Sequence, residues 1–201
     1  MNDSVFRFLL AVLLVAFFVV RAYHHCKAAL EGGKIEYKER NLKLLMAVRL
    51  GLFLIFLPAF IAWLVQPQWI TFAALPFPEW LRWAGVMLGF ANLPLLWWIE
   101  ATLGKNFNTT LHIREGHTLV TGGPYRWMRH PMYTSLFVLV IAITLISANA
   151  LIGLPMVLGL SVSLINRVDR EEAVMIEQFG DEYREYMKRS GRFLPRLSGQ
   201  A

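Results

Sequence analysis

Gly123-Pro124-Tyr125-Arg126-Trp127-Met128-Arg129-His130-Pro131-Met132-Tyr133 stands at the polar edge of an apolar run that begins at Met132 and continues to residue 146. Two prolines, two arginines, a histidine and two tyrosines crowd the start of what reads as a membrane-spanning helix. Ionisable side chains beside hydrocarbon are costly and face a cavity, a partner or a ligand. The stretch therefore marks the foot of a span and a site at a membrane surface at once.

The rest of the chain supports the membrane reading. Of 201 residues, 56% are hydrophobic and 17% charged, and the mean hydropathy is +0.46, too apolar for an ordinary soluble domain. Crossing about 30 Å of hydrocarbon takes roughly 20 helical residues. Runs at 5–20, 42–65, 80–99, 132–146 and 150–165 approach or meet that length. The first contains Arg7, close enough to its helix end to snorkel. It lacks the basic start and small-residue cleavage pattern of a signal peptide, which favours an uncleaved span. Pro94 is expected to kink the third run by removing a backbone donor. The fourth and fifth are separated only by Ser147-Ala148-Asn149, which demands a tight antiparallel helical hairpin.

Basic residues choose the orientation. Arg21, Lys27, Lys34, Lys38, Arg40 and Lys43 lie between runs one and two, and Lys105, Arg114, Arg126 and Arg129 between three and four. After the fifth come Arg167, Arg170, Arg184, Lys188, Arg189, Arg192 and Arg196, while the remaining two connections carry no lysine or arginine. Five spans put every basic connection on one side, with the N-terminus outside and the C-terminus in the cytoplasm. The net charge of +6 then serves orientation and anionic headgroups, not nucleic acid.

Two polar segments complete the pattern. Residues 103–125 are rich in Gly and Asn and read as a folded loop, in which Thr118-Leu119-Val120 is apolar enough to lie extended. Gly122-Gly123-Pro124 turns the chain into the motif, and Pro131 suits the first turn of the following helix, where a missing amide costs nothing. Along residues 168–188, Ile176, Phe179, Tyr183 and Tyr186 recur at helical spacing, as in an interfacial amphipathic helix. Glu172 falls on that apolar stripe and wants a partner, Gly180 is expected to break or bend the helix, and Arg192-Phe193-Leu194-Pro195 folds back or trails along the surface. Tyr183, Tyr186, Trp97 and Trp98 read as aromatic anchors at the membrane interface.

Leu103-Gly104 with Phe107, Glu115-Gly116-His117 with Leu119-Val120, Gly123-Pro124-Tyr125, Arg129-His130-Pro131-Met132-Tyr133, Glu171-Glu172, Phe179-Gly180 with Tyr183 and Tyr186, and Arg192 with Pro195 occur in that order. Together they resemble the isoprenylcysteine carboxyl methyltransferase and phospholipid methyltransferase superfamily over residues 80–197. The resemblance implies an all-α integral membrane protein of about five transmembrane helices plus a cytoplasmic C-terminal amphipathic helix. It implies no Rossmann domain, and no Gly-rich strand-to-helix turn is present. Residues 1–79 would supply N-terminal helices and a basic loop, and residues 80–201 the methyltransferase core.

What the resemblance implies further is S-adenosyl-L-methionine as methyl donor and a lipophilic or lipidated acceptor, isoprenylcysteine carboxylate-like, reaching the cytoplasmic face from the lipid bilayer. By resemblance, His117, Thr118, Leu119, Val120, Gly123, Tyr125, His130 and Pro131 line the cofactor pocket, with Glu171 and Glu172 holding ribose hydroxyls or the cofactor's ammonium. Arg129 or Arg167 would hold the cofactor carboxylate or an acidic group of the substrate, and Tyr133 would orient either; with Glu172, these three are the candidate catalytic residues. Glu171 paired with Arg167, or Glu172 with Arg170, as a structural ion pair on one helix is the plainer alternative.

A membrane sterol or steroid reductase binding NADPH, which shares an Arg-His-Pro-like element, and a non-enzymatic scaffold are the rival functions. No metal is expected: His24-His25-Cys26 places adjacent ligands on different helix faces, and His112, His117 and His130 sit on loop and helix without a ligand pattern. The methyl acceptor's functional group (carboxylate, amine or thiol) and the oligomeric state stay open, Gly85 and Gly89 being able to pack within or between chains.

Overall fold

The computed structural model describes residues 3–31, 42–104 and 118–196. Five α-helices account for most of them: α1 (Asp3–Glu31), α2 (Leu42–Val65), α3 (Glu79–Leu103), α4 (Pro131–Ser147) and α5 (Ala150–Arg189). Short 3-10 segments at Pro67–Ala73 and Gly123–Arg126 precede α3 and α4. Among the described residues the only β pairing is two isolated bridges, so the fold is all-α.

Four helices, α1, α2, α3 and α5, are long and apolar enough to cross a membrane, whereas α4 is a shorter apolar helix of 17 residues. Large apolar side chains are exposed along them, including Phe8, Val15, Phe53, Leu54 and Ile61. A surface of that kind is stable in lipid, where intrahelical hydrogen bonds satisfy the backbone. The chain is an integral membrane protein. The apolar stretch 150–165 and the polar stretch beyond it form one continuous α5, interrupted only at Gly180 (φ 54°, ψ −124°). Pro94 lies inside an uninterrupted α3.

The chain divides into two compact units. The first comprises Met1–Phe17, Glu39–Leu93 and Leu136–Ile165. Here α3 approaches its neighbours at two glycines. A Cβ on Gly85 would stand 2.6 Å from Leu145 Cβ, and one on Gly89 would stand 2.5 Å from Leu13 Cδ2. Both small positions are thus spent on packing within the chain. The α4–α5 hairpin is tight, as the three-residue spacer requires. Ala148 takes a positive φ of 47°, and Asn149 caps α5 by accepting from the Leu151 amide at 3.0 Å while donating to the Ile70 carbonyl at 3.0 Å. Arginines close helix ends: Arg7 donates to the Leu64 carbonyl at 2.9 Å and Arg82 to the Ile146 carbonyl at 3.0 Å.

The second unit comprises Phe18–Lys38, Pro94–Ser135 and Asn166–Ala201. Its core holds Leu96, Ile99, Tyr125, Val168, Tyr183 and Tyr186 together with buried His130, Glu100, Glu172 and Ser190. Buried ionisable groups concentrate here, and the motif quoted above lies wholly within this unit.

Candidate functional site

The motif is clamped from both ends of its sequence neighbourhood. Gly123 turns the chain at φ 53°, and a Cβ there would meet Thr102 Oγ1 at 2.6 Å, so only glycine brings the backbone this close to the end of α3. Pro124 and Tyr125 follow, both buried. On the other side the chain after α5 folds back and pairs with the motif. The Arg129 amide donates to the Gly191 carbonyl at 2.8 Å and the His130 amide to the Arg192 carbonyl at 3.0 Å, while the Gly191 and Arg196 amides donate to the Trp127 carbonyl at 2.9 and 3.0 Å. Pro131 then opens α4, where it forfeits no helical hydrogen bond.

This frame aims Arg129, His130, Tyr133 and Arg192 at two adjacent carboxylates on α5, where Arg167 of the same helix joins them. Arg129 Nε donates to Glu172 Oε1 at 2.9 Å, and its Nη1 donates to the carbonyls of Ser190 at 2.6 Å and Met187 at 3.2 Å. Arg192 Nη2 reaches Glu172 Oε2 at 3.0 Å and also pairs with Asp169. Tyr133 donates its hydroxyl to Glu171 Oε1 at 2.6 Å, and Arg167 Nε donates to the same oxygen at 2.8 Å. His130 lies between the carboxylates, with Nε2 3.2 Å from Glu172 Oε1 and Nδ1 3.6 Å from Glu171 Oε2. Its ring stacks on Tyr133, centroids 5.6 Å apart, with Phe193 on another side at 5.9 Å.

The electrostatics follow from this arrangement. Burial alone would raise the Glu172 carboxyl, but the hydrogen bonds and charges of His130 and Arg129 outweigh it and hold it down at about 2. Glu172 is therefore a fixed anion. Burial pushes the Tyr125 hydroxyl well up, helped by Tyr186 and by the carboxylates Glu100 and Glu171, so it stays a neutral phenol.

Of the residues singled out from sequence, Arg129, His130, Tyr133, Arg167, Glu171 and Glu172 meet in one connected network. Gly123, Tyr125 and Pro131 form its frame, with the Tyr125 carbonyl accepting from the Tyr186 hydroxyl at 2.6 Å. Leu119 and Val120 are half-buried and Thr118 is exposed, while His117 lies outside the described residues. Glu171 does pair with Arg167 four residues away on α5. Glu172 pairs with residues distant in sequence, among them Arg129, 43 positions away, and Arg192.

One reading is corrected and one residue joins the site. Tyr183 and Tyr186 are 2% exposed, so they are not anchors at a membrane interface; the stripe that carries them with Glu172 faces the motif. Arg192, which carried the family resemblance with Pro195 but was given no role from sequence, is part of the network. The apolar stripe itself was the signal for the tyrosines, since a carboxylate on it already implied a protein partner. For Arg192 no local spacing could have served, because its pairing comes from the returning chain.

The chain is similar to known proteins in sequence and in fold. Residues 85–177 match the model of the isoprenylcysteine carboxyl methyltransferase (ICMT) family. The chain is 37% identical over 100 residues to human protein-S-isoprenylcysteine O-methyltransferase, which covers 49% of this chain and 35% of the human protein. It is 34% identical over 122 residues to the Rattus norvegicus protein of the same name, covering 60% and 43%. The chain thus spans less than half the length of these curated relatives. A solved structure of the eukaryotic intramembrane Ras methyltransferase ICMT superposes with a TM-score of 0.56 at 24% identity, covering 81% of this chain and 56% of that one. Family model, relatives and fold converge: residues 85–177 are similar to the isoprenylcysteine carboxyl methyltransferase family, and the fold is similar to that of a solved member.

Proposed function

We propose that this protein transfers a methyl group from S-adenosyl-L-methionine to a lipophilic acceptor, an isoprenylcysteine-like carboxylate, at the cytoplasmic face of the membrane. The observation that carries the reading is the pair Glu171 and Glu172, adjacent on α5 and each pinned by cations and hydrogen-bond donors of the motif, inside the segment shared with the family.

The donor set suits the cofactor. Fixed carboxylates accept hydrogen bonds from ribose hydroxyls or an ammonium group. Arg192 Nε is buried and has no hydrogen-bond partner among the described residues, a donor suited to the cofactor's carboxylate. Arg129 is a poorer choice for that task, because its Nε and Nη1 are held by Glu172 and by carbonyls at the end of α5. It acts as a positioning residue, fixing Glu172 and joining α4 to α5. The cofactor supplies an activated methyl on a sulfonium. The protein's task is to align acceptor and methyl and to exclude water, not to run elaborate proton transfers. Tyr133 and Arg167 hold Glu171 in one orientation, and the Tyr125 phenol adds a neutral, buried wall.

The basic connections at 21–43, 105–129 and 167–196 support a cytoplasmic site, and the exposed apolar helices support lateral arrival of the acceptor from the bilayer. The test is transfer of labelled methyl from S-adenosyl-L-methionine, in detergent or liposomes, to an S-farnesylated N-acetylcysteine with a free carboxyl and to the same compound with its carboxyl blocked as an amide. Base-labile methyl on the free acid alone is the expected result. Methylation of neither compound, or of both alike, would refute the carboxylate assignment.

A further inference from the structure

The motif is approached by a second charged pair, on helices the chemistry above does not use. Glu100 on α3 is fully buried, and Arg21 on α1 donates from Nη1 to its Oε1 at 2.7 Å. The same Nη1 lies 3.3 Å from Met132 Sδ, the residue between Pro131 and Tyr133. From sequence, Arg21 read only as a topology determinant, in the part of the chain outside the family match.

The surrounding turns of α3 have two duties. Trp97, one turn before Glu100, stacks on Tyr23 of α1 at 5.2 Å and meets the edge of His24 at 4.6 Å. Trp98 lies edge-on to Trp127 at 6.0 Å, and Thr102 fills the space beside Gly123. One stretch of α3 therefore faces α1 on one side and the motif on the other, with Glu100 in the middle.

Stability does not account for the pair. Glu100 Oε2 is buried without a hydrogen-bond partner among the described residues. A buried carboxylate with one oxygen unsatisfied is a poorer stabiliser than an apolar side chain of the same volume. What the pair supplies is geometry: a short charge-assisted bond that sets α1 against α3 beside the motif, and a guanidinium that also touches the start of α4.

We propose that Arg21 and Glu100 are positioning residues for methyl transfer, holding Met132, and with it His130 and Tyr133, in the reactive arrangement. This rests on the methyltransferase reading above. Because misplacement by about an ångström can cost on the order of a hundredfold in rate, the pair acts on turnover more than on stability.

The test is the double variant Arg21→Met/Glu100→Leu, which removes both charges and keeps the volume. The melting temperature in detergent should hold or rise while kcat falls on the order of tenfold to a hundredfold and KM for the lipid changes little. Should the double variant fail to fold, Arg21→Lys serves instead: it keeps the charge opposite Glu100 but withdraws the planar fork from Met132, and kcat should fall with an unchanged melting temperature. Wild-type kcat in the double variant, or in Arg21→Lys, would overturn the proposal. An inactive wild-type protein would instead sink the methyltransferase reading on which it stands.

Discussion

The two units of this protein handle polar groups in opposite ways. In the unit made of Met1–Phe17, Glu39–Leu93 and Leu136–Ile165, arginines mainly serve the backbone: Arg7 and Arg82 donate to carbonyls at the ends of α2 and α4, and glycines let helices touch. In the unit made of Phe18–Lys38, Pro94–Ser135 and Asn166–Ala201, the buried Glu172 and the half-buried Glu171 meet arginines, a histidine and a tyrosine side chain to side chain. The first pattern is how helices end in a membrane. The second is expensive, because desolvating paired charges gives back little net stability. A cost of that kind is understandable where fixed charges are needed to hold a ligand. If so, perturbing the first unit should change stability and leave ligand binding alone, whereas perturbing the second should do the reverse or both.

The largest effect should come from Glu172→Ala. It strands Arg129, His130 and Arg192 beside an apolar gap, so the melting temperature should drop with a loss of about 3–5 kcal/mol, and S-adenosylhomocysteine should no longer bind calorimetrically. Next, Gly85→Ala pushes a methyl to 2.6 Å from Leu145 Cβ and 3.1 Å from the Ala142 carbonyl. Overpacking of roughly 1–3 kcal/mol outweighs the gain of about 1 kcal/mol in helix propensity. The thermal midpoint should fall while affinity for S-adenosylhomocysteine stays at the wild-type value. Tyr186→Phe removes the donor to the Tyr125 carbonyl and should cost about 1 kcal/mol, with a severalfold weaker S-adenosylhomocysteine affinity as the loop before α4 loosens.

The smallest effect is one of pH. Glu172 is held at about 2, below its ordinary value of 4.5. A depressed carboxyl contributes its full stabilisation above the unfolded value and loses it as the pH falls through the folded one. The difference in melting temperature between wild type and Glu172→Gln should therefore be flat from about pH 8 to about pH 5 and shrink only below 4.5. A difference that already shrinks between pH 7 and 5 would show that His130 and Arg129 do not hold the carboxyl down.

Much of this was written locally in the chain. The apolar runs gave the helices, the three-residue spacer at 147–149 gave the hairpin, and Pro131 gave the start of α4, because each rests on backbone chemistry of neighbouring residues. Glu172 on an apolar stripe announced a partner across the fold. The stripe could not say whether its tyrosines faced headgroups or protein, since an amphipathic pattern reports a face and not what covers it. The continuity of α5 was hidden by its change of composition after residue 165, which alters the surroundings of a helix without ending it. The pairings of Arg192 with Glu172 and of Arg21 with Glu100 were illegible for another reason: the partners lie 20 to 79 positions apart, and only the fold brings them together.

The central claim is that the charged network around Glu171 and Glu172 is the methyl-donor site. Its most direct test is calorimetric titration of S-adenosylhomocysteine into purified wild type, Glu172→Ala and Gly85→Ala, with NADPH titrated in parallel. The account predicts saturable S-adenosylhomocysteine binding by wild type and Gly85→Ala, none by Glu172→Ala, and none of NADPH by any of the three. Binding retained in a folded Glu172→Ala, or NADPH bound in place of S-adenosylhomocysteine, would contradict it.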